Sequence, residues 1–136
     1  MLAADTVVVL ESELLLKPAG ADDQAAMLAR LGGRWHEVIT GVAVVDAAGG
    51  EARSGAQSTR LRLRSLSSAE VEAYVAGGEG ADKAGGYAIQ GGGGEWLLEM
   101  KGDRDNVVGL PMRLVRRLLP EGLLGSVRDQ AADGER

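Results

Sequence analysis

Six polar side chains carry the chemistry that this sequence could do. Asp5 precedes Thr6 in an apolar run, Lys17 precedes Pro18, and Lys83 and Gln90 lie in a glycine-rich stretch that also holds Asp82. A carboxylate can orient a water or hold a hard cation. Lysine ammonium groups neutralise phosphate charge, and a carboxamide offers both a donor and an acceptor to a ligand edge. Singly, each has a blander reading. Asp-Thr at a strand end is commonly a turn or cap. A lone lysine is usually a solvated surface residue. Arg60, Arg62 and Arg64 read as a solvated strand face. His36 is the one histidine, so no two-histidine metal site can form, and a structural hydrogen-bonding role is expected for it.

Composition narrows the function classes. The 136 residues, 45% apolar and 26% charged, suit one globular domain with a modest core. With no Phe and 3% aromatics, that core must be built from Leu, Val, Ile and Ala. The net charge of -5 gives no general basic surface for nucleic acid. The absence of cysteine removes disulfides, thiolate metal sites and a thiol nucleophile. No apolar run approaches the ~20 residues of a membrane helix, and no basic-then-apolar leader is visible. Neither nucleic acid nor membrane is an expected partner, and the cytoplasm is the expected compartment.

The elements that must position these residues follow from periodicity and punctuation. Leu2 to Leu10 reads as a buried strand, apolar on both faces and interrupted by Asp5 and Thr6. Lys17-Pro18 ends the next extended piece. A helix is expected over 21–31, with Asp22 and Asp23 in its first turn and Gly32-Gly33 as its stop. Trp35 to Asp46 reads as a strand, Ala47-Ala48-Gly49-Gly50 as a turn, and Gln57 to Arg64 as a half-buried strand with Leu61 and Leu63 inward. Ser67 and Glu70 form a capping box, with Leu66 and Val71 as its staple, for a helix to about Ala76. Gly77 to Gly94 lacks the Walker pattern, and its glycine content alone would allow a flexible linker. A strand over 95–100, a turn at Gly102-Asp103 and a helix begun by Pro111 and ended by Pro120 complete the pass. The expected class is α/β, bordering on α+β: a single domain with a mixed twisted sheet and flanking helices. It is expected over residues 1–120, followed by a polar, frayed tail over 121–136.

Read together, the motifs resemble the Maf family. They are Ala4-Asp5-Thr6-Val7-Val8, Lys17-Pro18, Gly33-Arg34-Trp35-His36-Glu37-Val38-Ile39-Thr40-Gly41-Val42, Arg64-Ser65-Leu66-Ser67 with Tyr74, Asp82 through Gly91, and Gly102 through Pro111, in that order. The resemblance implies the Maf/ITPase-like fold and hydrolysis of nucleoside triphosphates to monophosphate and pyrophosphate, a house-cleaning nucleotide diphosphatase that needs a divalent cation, Mg2+ or Mn2+. It implies Asp5 as general base and metal-associated carboxylate. Lys17 and Lys83 become the catalytic phosphate-neutralising pair, with Asp82 holding a lysine or a metal-bound water. Thr6 and Gln90 become the residues that choose the base. Ile89-Gln90-Gly91 matches the wording of the subfamily that prefers dTTP and UTP, whereas the 7-methyl-GTP subfamily carries an acidic residue at the glutamine. The glycines around Tyr87 are expected to bring backbone amides close to the nucleotide. The family's Ser-x-Ser-Pro-Arg-Arg loop has no counterpart here, so the chain is expected to lack the N-terminal phosphate-binding segment. An alternative stays open: an inactive paralogue that binds nucleotides or regulates division. A homodimer is compatible with either reading.

Overall fold

The computed structural model describes residues 1–46 and 50–119. The expected turn residues Ala47 to Gly49, Pro120 and the tail over 121–136 lie outside the described residues. Five strands form one sheet in the order β2-β1-β3-β4-β5. They are β1 (Leu2–Leu10), β2 (Glu13–Leu15), β3 (Trp35–Val45), β4 (Ala52–Leu63) and β5 (Leu97–Lys101). The helices are α1 (Ala21–Leu31), α2 (Ser68–Gly77), α3 (Arg104–Val108) and α4 (Met112–Leu118), with 3-10 turns at Ala84–Gly86 and Gly92–Trp96. The class is α/β in a single domain. The mixed sheet expected above is corrected, because every pairing among the described strands is antiparallel. The cause is local: β1 turns straight into β2 through Glu11 and Ser12, both at positive φ, and hairpin connections of this kind join antiparallel neighbours.

The helices pack on one face of the sheet. Val8 and Leu10 of β1, Val38 of β3, and Leu61 and Leu63 of β4 share a core with Met27, Leu28 and Leu31 of α1 and Val71 of α2. Further along the same face, Val42 and Val44 meet Leu114 and Val115 of α4. Strand side chains alternate between faces, so Val7, Val9 and Ile39 point to the other side and stay half-buried. This corrects two expectations for β1. It is not a buried strand: Leu2 to Asp5 are exposed, and only Val8 and Leu10 are buried. Nor do Asp5 and Thr6 interrupt it, because both keep their register against Gly41 and Thr40.

Local signals explain the helix ends. In α2 the Ser67 hydroxyl accepts the Glu70 N–H and the Glu70 carboxylate accepts the Ser67 N–H, both at 3.1 Å. Removing such a cap costs about 1 kcal/mol. Gly78 closes α2 in the left-handed conformation, φ 79°. In α1, Asp23 reaches back to the Ala19 N–H at 2.7 Å. The glycine-rich stretch is not a linker: Tyr87 and Ile89 are both in the core.

A candidate nucleotide site

A cavity of about 340 Å³ opens between β1, the Lys17 loop and the glycine-rich segment. Asp5, Thr6, Lys17, Lys83 and Gln90 all line it, as does Asp82. The five sequence-predicted site residues are thus brought together from three separate stretches of chain. The volume falls in the range of small-molecule sites.

Backbone bonds make that convergence. Gly85 N–H donates to the Leu16 carbonyl at 3.2 Å, which pins the Lys83 segment beside Lys17. Gln24 of α1 donates through Nε2 to the Gly86 carbonyl at 2.8 Å. Gln24 is only 2% exposed, so this bond satisfies a buried amide. Gly85 has φ 78° and sits against Val8; a Cβ there would lie 3.1 Å from Val8 Cγ2. The glycines therefore serve turning and close packing. The N–H groups of Gly85, Gly86 and Gly91 donate to the Leu16, Lys83 and Ala88 carbonyls, and Ala88 N–H donates to the Tyr74 hydroxyl at 2.9 Å.

The charged groups remain open to the cavity. Lys17, Asp82 and Lys83 are exposed, and neither lysine is in a salt bridge among the described residues. Asp5 is exposed, and its Oδ1 accepts the Thr6 N–H at 3.0 Å. Gln90 is exposed too, and the segment before it is braced by Arg104, whose Nη2 donates to the Ile89 carbonyl at 3.3 Å. Arg60 and Arg62 lie outside the site on the exposed sheet surface; Arg60 stacks over Trp35, and Arg62 pairs with Glu99.

Beneath the cavity lies a buried polar layer for which the sequence reading gave no role. Thr6 Oγ1 is 2.8 Å from Thr40 Oγ1, and Thr40 Oγ1 donates to the Asn106 carbonyl at 2.9 Å. Asn106 Nδ2 donates to the Val38 carbonyl and to Thr59 Oγ1, each at 3.0 Å. Thr59 donates onward to the Asp103 carbonyl at 2.8 Å. Thr40, Thr59 and Asn106 are all 0% exposed. The available signal was Thr40 itself, a polar residue at an inward position among His36, Val38, Val42 and Val44. His36 is structural, as expected: its Nε2 meets the Tyr87 hydroxyl, and burial lowers its pKa to about 4.

The family model described as Maf-like protein matches residues 1–122. A dTTP/UTP pyrophosphatase of Deinococcus radiodurans is 47% identical over 119 residues, covering 88% of this chain and 60% of that protein. One from Anaeromyxobacter is 50% identical over 122 residues, with the same two coverages. One from Myxococcus xanthus is 50% identical over 112 residues, 82% of this chain and 56% of its own length. The chain therefore spans about 60% of the length of the curated relatives it matches. With its motifs in order and its family match running nearly end to end, the chain belongs to the Maf-like protein family.

Proposed function

We propose that this chain carries the base-reading and water-activating part of a nucleoside triphosphate pyrophosphatase acting on dTTP and UTP. The observation that carries the reading is the convergence of Asp5, Thr6, Lys17, Lys83 and Gln90 on one cavity. The relatives' printed name, dTTP/UTP pyrophosphatase, supports the substrate class.

In this reading the triphosphate lies along Lys17 and Lys83, whose ammonium groups offset its negative charge. Asp5 accepts a proton from the water that attacks the α-phosphorus in line, and pyrophosphate leaves. The Thr6 N–H holds one oxygen of Asp5, which orients the carboxylate and leaves the other for the water. Thr6 and Gln90 face the base.

A divalent cation fits the donor set in a limited way. Among the described residues no group of three His, Cys, Asp or Glu side chains could enclose a metal. Asp5 and Asp82 do line the cavity, and Mg2+ is commonly held by one or two carboxylates with substrate phosphates and waters completing its shell. Asp5, with Asp82 nearby in the same cavity, would hold such an ion, which would supply charge neutralisation at the phosphates.

Among the described residues no helix is long and apolar enough to cross a membrane. Cytoplasmic nucleotide clean-up suits that and the acidic composition. Phosphorus NMR of the chain with dTTP and Mg2+ tests the reading. It expects dTMP and pyrophosphate as the products; dTDP with orthophosphate would overturn it.

A further inference from the structure

The polar layer under the cavity fixes the direction of one proton. Thr40 Oγ1 lies within hydrogen-bond distance of two partners, the Asn106 carbonyl and Thr6 Oγ1. A hydroxyl has one proton to give, and a carbonyl can only accept. Thr40 is fully buried, so water cannot substitute for either partner. Its proton therefore goes to Asn106. The 2.8 Å contact with Thr6 is then a hydrogen bond only if Thr6 donates.

The Asn106 carbonyl is held in place by the same residue's side chain. Both Nδ2 protons are committed, one to the Val38 carbonyl and one to Thr59 Oγ1. Thr59 has given its own proton to the Asp103 carbonyl, so it can only accept from Asn106. Every hydroxyl in the chain of bonds has one direction.

We infer that Thr40, anchored by Asn106, is a specificity-positioning residue: it locks the Thr6 hydroxyl as a pure acceptor toward the cavity, which selects a base presenting a ring N–H. This rests on the proposed pyrimidine-nucleotide reading of the cavity. Uracil and thymine carry a proton on N3; cytosine carries a lone pair there. Gln90 cannot make that distinction alone. Its amide is exposed, and it can turn over to offer N–H or C=O, matching the 4-oxo group of uracil or the 4-amino group of cytosine equally well. Thr6 cannot turn over without breaking its bond to Thr40. The fixed acceptor rejects cytosine by setting lone pair against lone pair, which is discrimination by repulsion.

The test is calorimetric binding of three non-hydrolysable α,β-methylene triphosphates, of uridine, cytidine and N3-methyluridine, to the 136-residue chain with Mg2+. The uridine analogue should bind about tenfold or more tightly than either of the others, the usual scale of an unpaired or mismatched polar group. Thr40→Val should bring uridine and cytidine within about threefold of each other, because a freed Thr6 hydroxyl can donate to cytosine N3. Thr40→Ser, which keeps the hydroxyl, should restore the gap. A purely structural Thr40 would lower affinity for all three ligands together. If Thr40→Val fails to fold, Thr6→Val replaces it, and the gap must collapse there. Equal binding of the three analogues, no binding of any, or a gap that survives loss of the hydroxyl overturns the inference. The products formed from dTTP are read separately and decide the pyrophosphatase reading, so failure of one is distinguishable from failure of the other.

Discussion

The His36 Nε2 and the Tyr87 hydroxyl lie 2.6 Å apart, with the two rings edge to face at a centroid distance of 5.6 Å. This contact joins β3 to the glycine-rich segment directly below the cavity. Burial holds His36 neutral, with its pKa lowered from 6.5 to about 4. The unfolded chain binds a proton near 6.5, while the folded chain resists it until about 4. The stabilisation is thus complete above 6.5 and is lost as the pH falls to 4. A shift of this size corresponds to about 3 kcal/mol. The carboxylates with lowered pKa, such as Glu70 at about 2, lose their stabilising contribution as the pH falls from about 4.5 toward 2, so most of their effect lies below the His36 window. Thermal unfolding should therefore fall between pH 6.5 and 4, and His36→Gln should flatten that part of the curve. A decline of unchanged steepness in the variant would remove His36 as its cause.

Asp5→Asn keeps the size of the side chain and removes its charge and basicity. Loss of a general base costs about 10²–10⁴-fold in turnover. Comparison of purified variant and parent at equal melting temperature should show at least the lower of these. Turnover within a few-fold of the parent would mean that another group accepts the proton.

Gln90→Glu replaces an amide that can donate with a carboxylate that cannot. A mismatched polar group costs roughly 1–3 kcal/mol. Turnover of dTTP and UTP should fall relative to a 7-methylguanine nucleotide assayed in parallel. An unchanged ratio would take Gln90 out of base selection.

Gly85→Ala should strain the junction between the two lysine segments. Its φ of 78° and the 3.1 Å approach to Val8 Cγ2 both oppose a side chain. A non-glycine residue held in such a conformation costs about 1–3 kcal/mol. The expected readouts are a lower melting temperature and a raised KM for dTTP, since Lys83 moves with this segment. A variant as stable and as tight-binding as the parent would mean that the segment adapts freely.

Much of the scaffold was legible in the sequence because local rules and tertiary packing agree there. The capping box of Ser67 and Glu70, the stop at Gly32-Gly33 and the alternation around Leu61 and Leu63 each act over a few residues. Pro111 proved to be the cap before α4 rather than its first helical residue. The strand expected over 95–100 is displaced to Leu97–Lys101 because Glu95 and Trp96 belong to a 3-10 turn. The helix Arg104–Val108 was missed, being a single turn whose sequence has no apolar period. The site residues came from the wording of motifs, and the cavity gathers them. What the motifs could not carry was the layer beneath. Thr40, Thr59 and Asn106 act through bonds between residues far apart in sequence, and no local pattern encodes such partners.

The central claim is that water, activated beside Asp5, attacks the α-phosphorus. Hydrolysis of dTTP in ¹⁸O-labelled water, followed by mass spectrometry of both products, tests it most directly. The account predicts one labelled oxygen in dTMP and none in pyrophosphate; label in pyrophosphate, or formation of labelled orthophosphate with dTDP, would contradict it.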